Sequence, residues 1–189
     1  VLHAMEKNGH IPKFLGKINS KYNIPRVAII FNAIVSMIMV TLFRDWDVLA
    51  AVISTATLVA YLTGPTTVIA LRKMGPKLHR PFRGALLKFM APFSFVLASL
   101  AIYWAMWPTT AEVIFIIILG LPIYFFYEYQ MNWSNTKKQI GGSLWIIVYL
   151  ILLATMSFIG SKEFNGINLI HYPYDFIVII VLALSLIHI

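Results

Sequence analysis

The chain is 189 residues long, 60% hydrophobic and only 12% charged, with a formal net charge of +8 and no cysteine. Its mean hydropathy of +0.81 lies far outside the soluble globular range and marks an integral membrane protein. Disulfides, thiol catalysis and cysteine-ligated metal are excluded, and nucleic-acid binding is disfavoured because the basic residues sit in loops between apolar runs, without aromatic interleaving.

Residues 1–26 form a basic, polar opening segment punctuated by Gly9 and Pro12, with Pro25 announcing a helix. Lys13, Lys17 and Lys21 recur every fourth position while Phe14, Leu15 and Ile18 point elsewhere. That spacing predicts a short amphipathic helix lying in the headgroup layer. His3, Glu6 and His10 share a nominal face in the same segment, but Gly9 and Pro12 interrupt it, so these residues read as polar loop rather than metal ligands.

Apolar runs then follow at 27–43, 48–71, 89–107, 113–129 and 143–159, each read as a transmembrane span. The run at 176–189 is shorter than the ~20 residues a span needs and reads as a truncated sixth. The first residue is Val1 and the chain stops at Ile189 inside that run, so the expectation is a piece of a longer protein. The runs are continuous rather than alternating, which excludes a β-barrel. The fold class is therefore all-α: a polytopic integral membrane helical bundle.

Orientation follows from the cations. Lys7, Lys13, Lys17, Lys21 and Arg26 lie in 1–26; Arg72, Lys73, Lys77, Arg80, Arg83 and Lys88 lie in 72–88; Lys137 and Lys138 lie in 130–142. The alternate loops carry only Arg44 and Lys162. By the positive-inside rule, 1–26, 72–88 and 130–142 are cytoplasmic. Lys13, Lys17, Lys21, Arg80 and Arg83 are the residues expected to meet the membrane surface and its anionic lipid. Trp46, Trp107, Tyr127, Tyr129, Trp133 and Tyr174 lie near span ends, as an aromatic belt requires.

The run at 48–71 differs from the others. It is free of charge, rich in hydroxyls, and carries the pair Gly64–Pro65. At about 100° per residue, Ala50, Ser54, Thr57, Tyr61 and Gly64 fall in one sector of a helix. Such a stripe serves helix contacts or a water-filled path, so Ser54, Thr57, Tyr61 and Gly64 are the candidate pathway residues. Pro65 and Pro122 each lack an amide donor and are expected to kink or locally unwind their helices. Asp47 is placed to cap the N-terminus of this span. Ser94, Ser99 and Ser157, in other spans, read as hydroxyls that bond their own helix or glue neighbours. No Asp, Glu, Lys or Arg lies in the central part of any span, so any proton-coupling carboxylate is expected outside these residues, the alternative being coupling through hydroxyls and backbone carbonyls.

Two segments carry a family resemblance. Leu2, Ala4, Met5, Gly9, Ile11, Pro12 and Phe14, followed by Asn19, Lys21 and Pro25, resemble the loop after the eighth helix of the amino acid permeases, in the amino acid–polyamine–organocation superfamily. Arg80-Pro81-Phe82-Arg83, with Pro92 soon after, is similar to the loop before their eleventh helix, and two runs separate the segments as in that family. Glu6, Lys7 and Asn8 depart from the usual basic-and-Asp pattern, and 84–88 is poor in proline.

The resemblance covers 1–129. It implies the C-terminal part of a five-plus-five inverted-repeat transporter, helices nine to twelve, with 48–71 as the tenth. Two further runs suggest a fourteen-helix member similar to bacterial aspartate–proton symporters. Its implied function is proton-coupled symport of amino acids, acidic ones such as aspartate, across the plasma membrane. Its partners are amino acid, protons and lipid; a homo-oligomer is compatible with it, and no cofactor or metal is implied. In that family the substrate binds near the broken first and sixth helices, which lie outside this chain. The rival is a polytopic membrane enzyme, such as a lipid-headgroup or acyl transferase, which needs clustered acids or histidines at one membrane face.

Overall fold

A computed structural model describes residues 6, 12–19, 22, 24–75, 79, 86–130 and 136–187. Seven α-helices occur among them: α1 (Lys13–Gly16), α2 (Arg26–Leu42), α3 (Trp46–Met74), α4 (Leu87–Tyr103), α5 (Thr109–Gln130), α6 (Thr136–Ile159) and α7 (Tyr174–Ile187), with a 3₁₀ turn at Lys162–Phe164. The described residues contain no strand beyond an isolated bridge between Asn19 and Ile24. The helices follow the apolar runs because a backbone in lipid must pair its own amides and carbonyls.

Among the described residues, α3 is the one helix long and apolar enough to cross a membrane by length and composition; the apolar helical stretches Arg26–Leu42, Leu87–Tyr103, Thr109–Pro122, Leu144–Ile159 and Tyr174–Ile187 run 10–17 residues. The 29 residues of α3 rise about 43 Å, beyond the ~30 Å of a bilayer core. A 17-residue helix such as α2 or α4 rises only about 26 Å, so the six expected spans are not equal in reach.

The chain divides into two units, one of residues 1–49 and 116–142, the other of 50–115 and 143–189. In the first, α1 packs on α2, with Leu15 and Ala28 buried. The helix stops at Gly16, so the amphipathic helix expected from the lysine spacing is a single turn and Lys17 lies past its end. The chain then reverses: the Asn19 amide donates to the Ile24 carbonyl at 3.0 Å, and the Arg26 guanidinium stacks 4.5 Å from the Tyr22 ring centroid. Lys21, Arg80 and Arg83 lie outside the described residues, as does most of each family segment.

The second unit holds the larger core. α4 buries Ala91, Phe95, Val96, Ser99, Ile102 and Tyr103, and α7 buries Asp175, Ile179, Ala183 and Ile187 at a strict four-residue spacing. These two stripes pack on each other, and α6 contributes Tyr149, Leu150, Leu153 and Met156. Phe176 sits in an aromatic cluster with Tyr103, Trp104, Phe164 and Tyr172, at ring-centroid separations of 5.5–6.2 Å.

Candidate functional site

α3 has two unlike faces. Val52, Thr55, Val59 and Leu62 are buried, and this 3-4-3 spacing defines one side of the helix. Ser54, Thr57, Tyr61 and Gly64 are all exposed, with Tyr61 65% accessible. At about 100° per residue the centre of this stripe lies about 160° from the centre of the buried one. The uncharged polar stripe is thus turned away from everything this unit packs against.

The hydroxyls of α3 divide by partner. Thr57 donates to the Ile53 carbonyl at 2.8 Å, and Thr55 on the buried face does the same to Ala51 at 2.8 Å. Thr63 donates to Ala60 at 2.7 Å, and Thr67 donates to Thr63 at 2.6 Å. Each bond uses the single hydroxyl proton and leaves lone pairs free to accept a further hydrogen bond. The Ser54 and Tyr61 hydroxyls have no partner among the described residues and keep both functions. An ideal Cβ built on Gly64 meets nothing within 4 Å, so this position opens the stripe rather than admitting a close neighbour.

Pro65 lies inside α3 and Pro122 inside α5, and both helices run on through them. The local unwinding expected at these prolines does not occur. Continuity at Pro65 has a visible aid: Thr66 donates to the Leu62 and Thr63 carbonyls at 3.2 and 2.9 Å, tying the turn across the missing amide. Proline still supplies no hydrogen to the Tyr61 carbonyl, one turn back on the polar stripe. Asp47 falls inside the first turn of α3, which begins at Trp46. Its charge therefore acts on the helix dipole from within the turn rather than from the cap position.

A second polar constellation is buried, and the sequence reading passed over its central residue. Asp175, in the first turn of α7, is fully inaccessible. Its Oδ2 accepts from the Tyr103 hydroxyl at 2.6 Å and the Ser161 hydroxyl at 2.9 Å, and its Oδ1 accepts from the Phe176 amide at 2.9 Å. Gly160 makes this approach possible: a Cβ there would lie 2.1 Å from the Tyr103 hydroxyl oxygen. The available signal was local, an Asp immediately before an apolar helical run, where an acid suits the N-terminal dipole.

Other buried hydroxyls join helices. Tyr149 on α6 donates to Ser99 on α4, which donates to the Phe95 carbonyl at 2.7 Å. Thr110 donates to the Ile102 carbonyl at 3.0 Å, closing the turn between α4 and α5. Ser99 is thus helix glue, while the buried Ser157 hydroxyl has no partner among the described residues.

The geometry offers hydroxyl donors and acceptors along an open helix face and, elsewhere, a buried polar tie that orients α7. No group of three or more acids and histidines capable of holding a metal occurs among the described residues; His3 and His10 lie outside them.

Comparison with known proteins adds the context. A family model described as amino acid permease matches residues 1–121. Three curated proteins of Bacillus subtilis (strain 168) are similar to the chain. The glutamate/serine transporter AimA is 45% identical over 184 residues, covering 97% of this chain and 34% of that protein. The aspartate-proton symporter is 26% identical over 193 residues, covering 98% and 36%. The branched-chain amino acid permease BcaP is 30% identical over 142 residues, covering 71% and 29%. The chain thus spans roughly a third of the length of the curated relatives it matches. No solved structure matches it.

Proposed function

The chain belongs to the amino acid permease family, and from that premise we propose that it is the C-terminal part of a proton-coupled amino acid symporter of the cell membrane. It is a membrane protein, and the three relatives are transporters and permeases, so the membrane-enzyme reading is set aside. The observation that carries the proposal is the two-faced α3. One face packs within its own unit, and the other presents Ser54, Thr57, Tyr61 and Gly64, with no charge among them.

Uncharged hydroxyls suit a wall of a transport path. They accept from an ammonium and donate to a carboxylate without holding either so firmly that release becomes slow. The Tyr61 carbonyl, deprived of its helical donor by Pro65, adds an acceptor to the same face. In this reading α3 is the tenth helix of a five-plus-five inverted repeat and lines the route. Residues outside this chain supply the main walls of the binding site and the proton-carrying group.

Acidic amino acids are the proposed substrates. Two relatives are named for glutamate or aspartate, and the 45% match extends over nearly the whole chain. Residues 1–26, 72–88 and 130–142 face the cytoplasm in this reading, because they carry most of the lysine and arginine.

The test uses the full-length protein reconstituted into vesicles. Uptake of labelled aspartate, glutamate and serine is compared with and without an inward proton gradient. Gradient-driven accumulation of an acidic amino acid supports the reading. Equal uptake in both conditions refutes the proton coupling, and failure to accumulate any amino acid refutes the transport proposal itself.

A further inference from the structure

α4 and α7 run antiparallel. The last residue of α4, Tyr103, bonds Asp175 in the first turn of α7, and towards the opposite ends the two helices leave a groove of about 740 Å³. Phe89, Phe93 and Val96 line it from α4, Ile180 and Leu184 from α7, and Lys88 is its charged residue. Ligand pockets commonly occupy ~300–1,000 Å³, so this groove has room for a large apolar group.

We propose that the groove is an anionic-phospholipid site, with an acyl chain between α4 and α7 and the headgroup phosphate at Lys88. Charge selects this occupant. The Lys88 ammonium has no partner among the described residues, α4 has no acid in its first turn, and Leu86 offers that helix no side-chain cap. The positive pole of the helix and the lysine charge therefore add at the mouth of the groove. A second apolar helix seated there would desolvate Lys88 without pairing it, which is costly; an anionic lipid fills the apolar length and pairs the charge together. The sequence segment leading into this mouth, 72–88, carries six lysines and arginines. The site rests on α4 and α7 lying in the bilayer, as in the transport reading, but not on which solute is carried.

The experiment places the full-length protein in bilayers of phosphatidylcholine with a minor fraction of phosphatidylglycerol. Co-purifying lipid is then counted by native mass spectrometry. The wild type retains phosphatidylglycerol in preference to phosphatidylcholine, and Lys88→Gln lowers that preference about five-fold, the factor one interfacial cation contributes. Leu184→Trp, which fills the groove, lowers retention of both lipids. Equal retention of the two lipids by the wild type overturns the site, as does an unchanged preference in Lys88→Gln. A change of oligomeric state in Leu184→Trp with lipid retention intact also overturns it, by showing protein in the groove. Lys88 is exposed, so its variant folds and decides the matter even where Leu184→Trp does not. Lipid mass is read independently of uptake, so failure of the transport reading and failure of this site are separate results.

Discussion

The Tyr103 hydroxyl donates a 2.6 Å hydrogen bond to the Asp175 carboxylate, joining two fully buried residues that lie 72 positions apart. Among the described residues, Ser161 and the Phe176 amide complete the carboxylate's donors, and no lysine or arginine takes part. A buried carboxylate held by neutral donors depends on each of them.

Tyr103→Phe therefore lowers stability by about 2 kcal/mol, the usual worth of a hydrogen bond to a charged group, while keeping the ring's contacts. Asp175→Ala costs more, because two hydroxyls and an amide lose their acceptor together. Thermal unfolding of the detergent-solubilised full-length protein checks the order. Tyr103→Phe matching wild type would show the bond to be dispensable.

Glycine substitutions separate the two regions. Gly160→Ala places a methyl 2.1 Å from the Tyr103 hydroxyl oxygen and 2.9 Å from the Met156 carbonyl oxygen, and the second contact is with backbone that cannot swing aside. A loss of about 1–3 kcal/mol is expected from such overpacking. Gly64→Ala meets nothing within 4 Å and improves helix propensity, so the melting temperature holds or rises while uptake falls. A fall in melting temperature for Gly64→Ala would instead place a packed helix against the stripe.

Tyr61→Ala and Thr57→Val are expected to raise the KM for uptake several-fold with little change in melting temperature. Ser99→Ala should do the reverse. It strands the Tyr149 hydroxyl, at about 1–3 kcal/mol for an unsatisfied buried donor, and leaves the KM of the folded protein unchanged. Purified protein supplies both readouts, and equal KM effects from all three variants would return the stripe to helix packing.

Ser157→Ala tests the orphaned hydroxyl. Its Oγ is buried without a partner among the described residues, so replacing it with a methyl removes an uncompensated polar group. Stability is expected to stay level or rise by up to about 1 kcal/mol. A loss above that range, read by the same thermal assay, would reveal a bond to a group beyond these residues.

What was legible in the sequence was whatever depends on local pattern. The apolar runs located the helices, and the i, i+3, i+4 arithmetic of 48–71 drew the stripe that the structure leaves exposed. Lys13 and Lys17 misled for a local reason too: their spacing fits a helix, but Gly16 ends it and the Asn19–Ile24 pairing turns the chain, while Lys21 lies outside the described residues. Pro65 was expected to kink or locally unwind its helix because its own missing donor is visible in sequence, whereas the Thr66 bonds that tie the turn appear only in three dimensions. Asp175 stayed hidden because its burial is not a local property. It depends on residues 160–173 folding back so that Ser161 and Tyr103 reach one oxygen, and no periodicity encodes a contact across 72 positions.

The Tyr103–Asp175 tie gives the α4–α7 pair the mechanics of tongs. The joint is polar, buried and directional, and among the described residues the arms beyond it meet through apolar contact, which lacks the directionality of a hydrogen bond. The ends near Lys88 and Leu184, where the groove opens, lie farthest from that joint. A lipid in the proposed site sits at the end of that lever, where a given separation of the arms corresponds to the smallest change of angle at the joint.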